Sequence, residues 1–327
     1  MVILSIILYI IELFSQFIIG ILQGIIIILL TLIAQMFKTK RIKTYLQLSR
    51  LGNSILTALF VLLVCFMSGM TRYDLMFSAA AAATLITAAG NSINDYFDRH
   101  IDKINKPKRP IPSRKISAKY AFHYSWLLFI VGIIIAIFIN VPTAAIAIIN
   151  SFILYKYAES WKKRGFFGNL AVGYLAASVF IFAAAVSATL EGWLIGITIA
   201  VFAFLVTLGR EIAKDMEDLL GDRFARAKTL PIVKGQAHAG KIASVFLGAA
   251  ILFSWVPYIL AVFSVYYLPL IALADILLLS SIYSLIEKPN KRTGKRVRKS
   301  LKKAMFIALI AFLIGSPKIY ELVLHIL

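Results

Sequence analysis

The chain has 327 residues, 61% of them hydrophobic, and carries 35 basic against 15 acidic side chains for a formal net charge of +20. That make-up, with a mean hydropathy of +0.87, excludes an ordinary water-soluble domain. The basic residues sit in a few short links, which argues against a nucleic-acid partner and matches membrane topology; the single cysteine, Cys65, excludes a disulfide framework and a cysteine-based metal site.

Residues 2–37 are apolar apart from Glu12, Gln16, Gln23, Gln35 and a few hydroxyls. There is no basic region ahead of the run and no small-residue cleavage site, so it reads as an N-terminal apolar helix, long enough to span from about 13 to 37, rather than a cleaved signal. Gly20 and Gly24 make a GxxxG step, which packs helices closely and leaves homo-oligomerisation open. Residues 1–44 are taken as a hydrophobic extension and 45–327 as the functional domain. Nine further apolar runs follow, near 53–70, 75–98, 118–139, 142–158, 168–190, 193–213, 238–260, 265–286 and 304–325. The expected fold is therefore all-α, a polytopic membrane helical bundle. Links near 38–50, 99–119, 156–164, 214–241 and 287–303 hold nearly all the Lys and Arg and alternate with short ones whose only basic residue is Arg72, which places the basic links on the cytoplasmic side of a cell membrane. The last of these, residues 288–303, reads as a basic lipid-headgroup or topology patch. Pro257 is expected to kink the seventh of the nine runs.

The stretch Asn91–Pro112 leaves an alanine-rich run directly. At 100° per residue Asn94, Asp98 and Asp102 fall on one helical stripe, with Asn91 and Asp95 in the same stripe. Crowded carboxylates at a membrane edge repel one another, and a hard divalent cation such as Mg²⁺ relieves that, because it takes carboxylate oxygen, water and substrate phosphate as ligands. A second acidic stripe, Asp215, Asp218 and Asp222 with Glu211, ends the sixth run, where Gly221 is expected to stop or bend the helix. Two stripes of matched spacing on the same side read as two halves of one site. The cations beside them, with Arg109 and Lys162 nearest the motifs and Lys228 flanking the second, make the combination a diphosphate site. His100, His123, His238 and His325 lack metal-ligand spacing.

The segments NDYFDRHID and DMEDLLGD resemble the NDxxDxxxD and DxxDxxxD motifs of the UbiA superfamily of intramembrane prenyltransferases. RLGN at 50–53, the YKYAESWKKRGFFGN segment from Tyr155 to Asn169 and KTLPIVKG extend the resemblance over roughly residues 45–325. The continuation Asn105–Ser113 is most similar to the archaeal digeranylgeranylglyceryl phosphate synthases within it. The resemblance implies a nine-helix core around a central cavity, to which the N-terminal apolar helix is added. It also implies Mg²⁺ and a prenyl diphosphate held between Asn94, Asp98 and Asp102 on one side and Asp215, Asp218 and Asp222 on the other. Arg50, Asn53 and Tyr157, with Lys162, match positions near the substrate cavity, and Asn91 belongs with them. Asp98, Asp102, Asp218 and Asp222 are the expected catalytic carboxylates. The activity implied is Mg²⁺-dependent transfer of a geranylgeranyl group from its diphosphate to the hydroxyl of geranylgeranylglyceryl phosphate, with membrane lipids as surroundings and no nucleic-acid partner. An aromatic quinone precursor as acceptor and, in another class, a cation-coupled transporter are the alternatives. A CDP-alcohol phosphotransferase is disfavoured, since no DGxxAR segment occurs.

Overall fold

The computed structural model describes residues 42–224 and 227–319. The N-terminal apolar run with its Gly20–Gly24 step lies outside the described residues, as do Arg226 and His325. All regular structure among the described residues is helical. The main elements are α1 (Ile42–Leu48), α2 (Leu51–Met67), α3 (Tyr73–Phe97), α4 (Arg99–Asn105), α5 (Ala118–Ile139) and α6 (Val141–Glu159). They continue as α7 (Phe166–Ser187), α8 (Leu190–Phe224), α9 (Leu230–Val233), α10 (Gly235–Ile259), α11 (Leu268–Glu287) and α12 (Lys291–Gly315). Each of the nine expected runs meets a long helix. Seven stretches among the described residues are long and apolar enough to cross a membrane, or eight when α1 and α2, bent by 63°, count as one. The chain is a multi-pass, all-α membrane protein.

Local chemistry sets the boundaries. Ser117 caps α5 by accepting from the Tyr120 N–H, and Asn140 caps α6 by accepting from Thr143, with Pro142 in the first turn, where its missing N–H costs nothing. Small side chains bring helices close. Ala183, Ala184 and Ala185 are fully buried on α7, and a Cβ added at Gly196 of α8 would lie 2.6 Å from that of Ala184. Cys65 is a buried core residue.

Three expectations need correction. The basic link 288–303 is not a loop: α12 starts at Lys291, capped by Asn290, whose side chain accepts from the Thr293 N–H at 3.0 Å. Its charges hide a stripe of buried residues, Val297, Leu301, Ala304, Ala308 and Ala311, at three- and four-residue spacing, which seats the helix on its neighbours. Gly221 does not stop α8, which runs on to Phe224; one glycine costs a helix only about 1 kcal/mol. Pro257 stands two residues from the end of α10, so it marks the last turn rather than a mid-span bend.

One glycine joins the two links that flank the site. Gly165 has φ +61, and a Cβ there would lie 1.9 Å from the Lys228 carbonyl oxygen. The Lys228 N–H in turn donates to the Lys163 carbonyl. Gly165→Ala therefore meets both backbone strain and a backbone clash. A loss of about 2–4 kcal/mol is expected, read as a lower melting temperature in detergent; an unchanged melting curve would show that the two links are not pressed together.

Candidate active site

Helices α2, α3, α6, α7, α8 and α12 enclose a cavity of about 940 Å³. Its walls change character along its length. One part is apolar, with Phe60, Ile86, Val179, Phe180, Phe202 and Phe312. The other carries Asn91, Asn94, Asp98, Tyr157 and Lys162, with Arg50, Arg109 and Lys214. A long apolar slot under a polar, mostly cationic mouth suits an amphiphile with an anionic head.

The first motif divides between the cavity and the protein interior. Asn91, Asn94 and Asp98 line the cavity, as their shared stripe predicts. The Asn94 amide donates to Asp98 Oδ2 at 3.1 Å, and Lys162 Nζ donates to the same oxygen at 2.6 Å. Asp95 and Asp102 turn away. Asp95 is buried and accepts from Arg50 Nη2 at 2.7 Å and Arg109 Nη1 at 3.0 Å, while Arg109 also pairs with buried Asp102 at 2.5 Å. The single stripe of five oxygen-bearing side chains is thus corrected. Asp95 lies about 60° from Asp98 around the helix, and Arg109, returning from the loop after α4, holds it and Asp102 in the wall. Arg50 stands between α1 and α2 with φ 47, a left-handed conformation that a non-glycine residue seldom adopts, and its ion pair to Asp95 offsets that strain.

The second motif lies on the last turns of α8. Asp215 is buried and accepts from the Asn169 amide at 2.8 Å. Glu211, also buried, pairs with Arg210 at 2.7 Å and Lys214 at 3.0 Å. Asp218 is exposed. Burial, then the Asp218 carboxylate, pushes the Asp222 carboxyl above its ordinary range, and Lys214 and Lys162 act against that rise. Lys162 therefore reaches both motifs: it is bonded to Asp98 and acts on Asp222. Tyr157 stands among Lys214, Glu211, Asp215 and Asp98. These two side chains, from α6 and the link after it, tie the halves of the site together.

The other expected residues fall as follows. Arg50 and Asn53 line the cavity, and Arg109 reaches it from within its ion-pair cluster. Asn91 also donates to the Ser49 carbonyl at 3.2 Å, which ties α3 to the chain ahead of α2. Lys228 is exposed in the link that touches Gly165 and is not part of the cavity wall. Arg210, Lys302 and Asn150 line the cavity although the motifs do not single them out. Arg210 sits immediately ahead of the second acidic stripe, a signal that could have drawn attention to it; Lys302 was hidden in the basic run.

The side chains suit magnesium in one particular manner. Among the described residues no three His, Cys, Asp or Glu side chains converge as a ready-made metal cage. The donors on offer are oxygens, in two separate groups, with Asn94 and Asp98 on one side and Asp215 and Asp222 on the other. Mg²⁺ binds in this way, through one or two carboxylates, retained water and substrate phosphate, rather than in all-protein cages. Burial first and the Asp218 carboxylate second disfavour ionised Asp222, and a cation there would offset both.

The UbiA prenyltransferase family model matches residues 54–310. A digeranylgeranylglyceryl phosphate synthase from Methanococcoides burtonii is 41% identical over 288 residues, covering 84% of this chain and 100% of that one. One from Methanococcus aeolicus is 42% identical over 282 residues, covering 84% and 98%. A solved structure of digeranylgeranylglyceryl phosphate synthase superposes with a TM-score of 0.79 at 36% identity, over 85% of this chain and 99% of the other. A UbiA homolog from Archaeoglobus fulgidus bound to GPP and Mg²⁺ shares the fold, with a TM-score of 0.59 at 15% identity over 82% and 99%.

Proposed function

Because the chain belongs to the UbiA prenyltransferase family and is a membrane prenyltransferase, we propose that it transfers a geranylgeranyl group from geranylgeranyl diphosphate to the hydroxyl of geranylgeranylglyceryl phosphate, forming an ether of an archaeal lipid. The observation that carries this reading is the position of Lys162, bonded to Asp98 of the first motif and acting on Asp222 of the second beside one amphiphile-shaped cavity. The 41% identity to a digeranylgeranylglyceryl phosphate synthase, over that protein's full length, supports this acceptor.

The chain's own groups divide the work. Asn94 on α3 and Asp98 at its C-terminal cap, with Asp215 and Asp222 on α8, would hold the metal. Bound magnesium would neutralise charge that develops on the departing diphosphate. Lys162 and Lys214 add fixed positive charge at the same place, where a water-poor surround makes each charge count for more. The slot between Phe60, Phe180 and Phe202 receives the prenyl tail and keeps water from the allylic carbon as its bond to oxygen weakens. The acceptor hydroxyl attacks that carbon, and a carboxylate at the polar end takes its proton. The basic links that surround this end support a cytoplasmic orientation for it.

Purified protein, labelled geranylgeranyl diphosphate and a panel of acceptors test the reading. Transfer to geranylgeranylglyceryl phosphate is expected in Mg²⁺, with loss on chelation and recovery when Mg²⁺ is restored. Transfer to 4-hydroxybenzoate alone, or at an equal rate without divalent metal, would overturn it.

A further inference from the structure

Most of the cavity's cations are already held by carboxylates. Asp95 holds Arg50, Asp95 and Asp102 hold Arg109, Asp98 holds Lys162 and Glu211 holds Lys214. Two cations differ. Arg210 gives only Nη2 to Glu211, and its Nε–H is buried with no hydrogen-bond partner. A buried donor left unpaired costs free energy and calls for a ligand. Lys302 lines the cavity and, among the described residues, has no carboxylate beside it. The Lys302 side chain is exposed, so its ammonium is open to an incoming anion.

The two share one level of the bundle. Helices α8 and α12 run antiparallel: a Cβ at Gly294 would lie 2.5 Å from the Ala213 carbonyl oxygen, and the rings of Phe202 and Phe312 are 5.7 Å apart. Between those two crossings, Lys302 falls opposite the turn of α8 that carries Arg210. Along α8 that turn is about 8 Å from Asp215 and about 18 Å from Asp222, so a diphosphate held toward Asp222 leaves Arg210 and Lys302 for a different anion. Met305, Phe306 and Leu309 follow within two turns of Lys302 on the cavity wall. The pair is thus a cationic head over an apolar slot.

We propose that Arg210 and Lys302 form a second anion subsite that takes the phosphomonoester of the lipid acceptor, apart from the place of the donor's diphosphate. Glu211 is its positioning residue, fixing the Arg210 guanidinium so that Nε and the free Nη face the phosphate. This subsite rests on the acceptor proposed above.

The test uses full-length protein in detergent micelles, geranylgeranyl diphosphate as donor, and two acceptors: geranylgeranylglyceryl phosphate and its dephosphorylated form, geranylgeranylglycerol. For Lys302→Met, KM for the phosphorylated acceptor is expected to rise about tenfold to hundredfold while donor KM stays within about twofold, the size of one lost hydrogen bond to a charged group. Lys302→Arg should recover most of the loss. With geranylgeranylglycerol, wild type and Lys302→Met should perform equally. Arg210→Lys, which keeps the charge but removes Nε, should raise the same KM. A donor KM that rises as far as the acceptor KM, or an equal penalty with the dephosphorylated acceptor, overturns the subsite alone. A wild-type protein that does not use the glyceryl phosphate overturns the proposed function and the subsite with it.

Discussion

Asp98→Asn should lower kcat for prenyl transfer by about 10²–10³ and leave the fold intact. Asp98 is the carboxylate that lines the cavity. It is held by Asn94 from one side and Lys162 from the other, so its position is fixed before any substrate arrives. Asparagine keeps the volume and one oxygen but removes the charge that orients Lys162 and that a divalent cation requires. The side chain is not deeply buried, so its neutralisation strands no interior charge, and the melting temperature should stay within a few degrees. The measurement is single-turnover transfer over a range of Mg²⁺ concentrations. A variant that transfers at the wild-type rate would remove Asp98 from the chemistry.

Asp95→Ala should instead destabilise the protein, by about 3–5 kcal/mol. Asp95 is 4% exposed and serves two guanidinium groups, those of Arg50 and Arg109. Its loss leaves Arg109 to Asp102 alone and leaves Arg50, with its left-handed backbone, without a partner. Truncating one member of a buried charge cluster costs far more than the intact cluster contributes, because the remaining charges stay in place. Arg50 also lines the cavity, so activity should fall together with stability. The check is the melting temperature in detergent, where Asp95→Asn, which keeps an acceptor oxygen, should fall between wild type and Asp95→Ala. A wild-type melting temperature for Asp95→Ala would mean that the cluster bears no weight.

The contrast between Asp95 and Asp98 shows what could be read from the sequence. The spans from α2 to α11 were legible because about 20 uncharged residues in a row have only one stable arrangement in a bilayer. The two acidic segments were legible because their spacing repeats at matching helix ends. The separate fates of Asp95, Asp98 and Asp102 were not. A helical stripe is about 100° wide, and the choice among its members belongs to Arg50, 45 positions before Asp95, and to Arg109, which a loop of no regular period brings back to it. The first half of α12 escaped for a different reason. Its Lys and Arg residues outweigh a buried stripe of Val, Leu and Ala, and Arg298 is fixed by Glu217, 81 positions away. Lys302 was overlooked with it.

Helix α8 is 35 residues long, about 52 Å against a hydrocarbon core of about 30 Å. Ile199, Phe202 and Ala203 form part of the slot wall, and Asp215 and Asp222 stand further along the same rod. From Ala203 to Asp215 is about 18 Å of continuous helix. A helix without a hinge cannot change that interval, so it works as a gauge: where the charged head is anchored fixes how many isoprene units lie beside Phe202 and Ala203. Tail-length preference in this protein is then a property of where bulk is placed on α8, and it can be reset there without moving a single carboxylate.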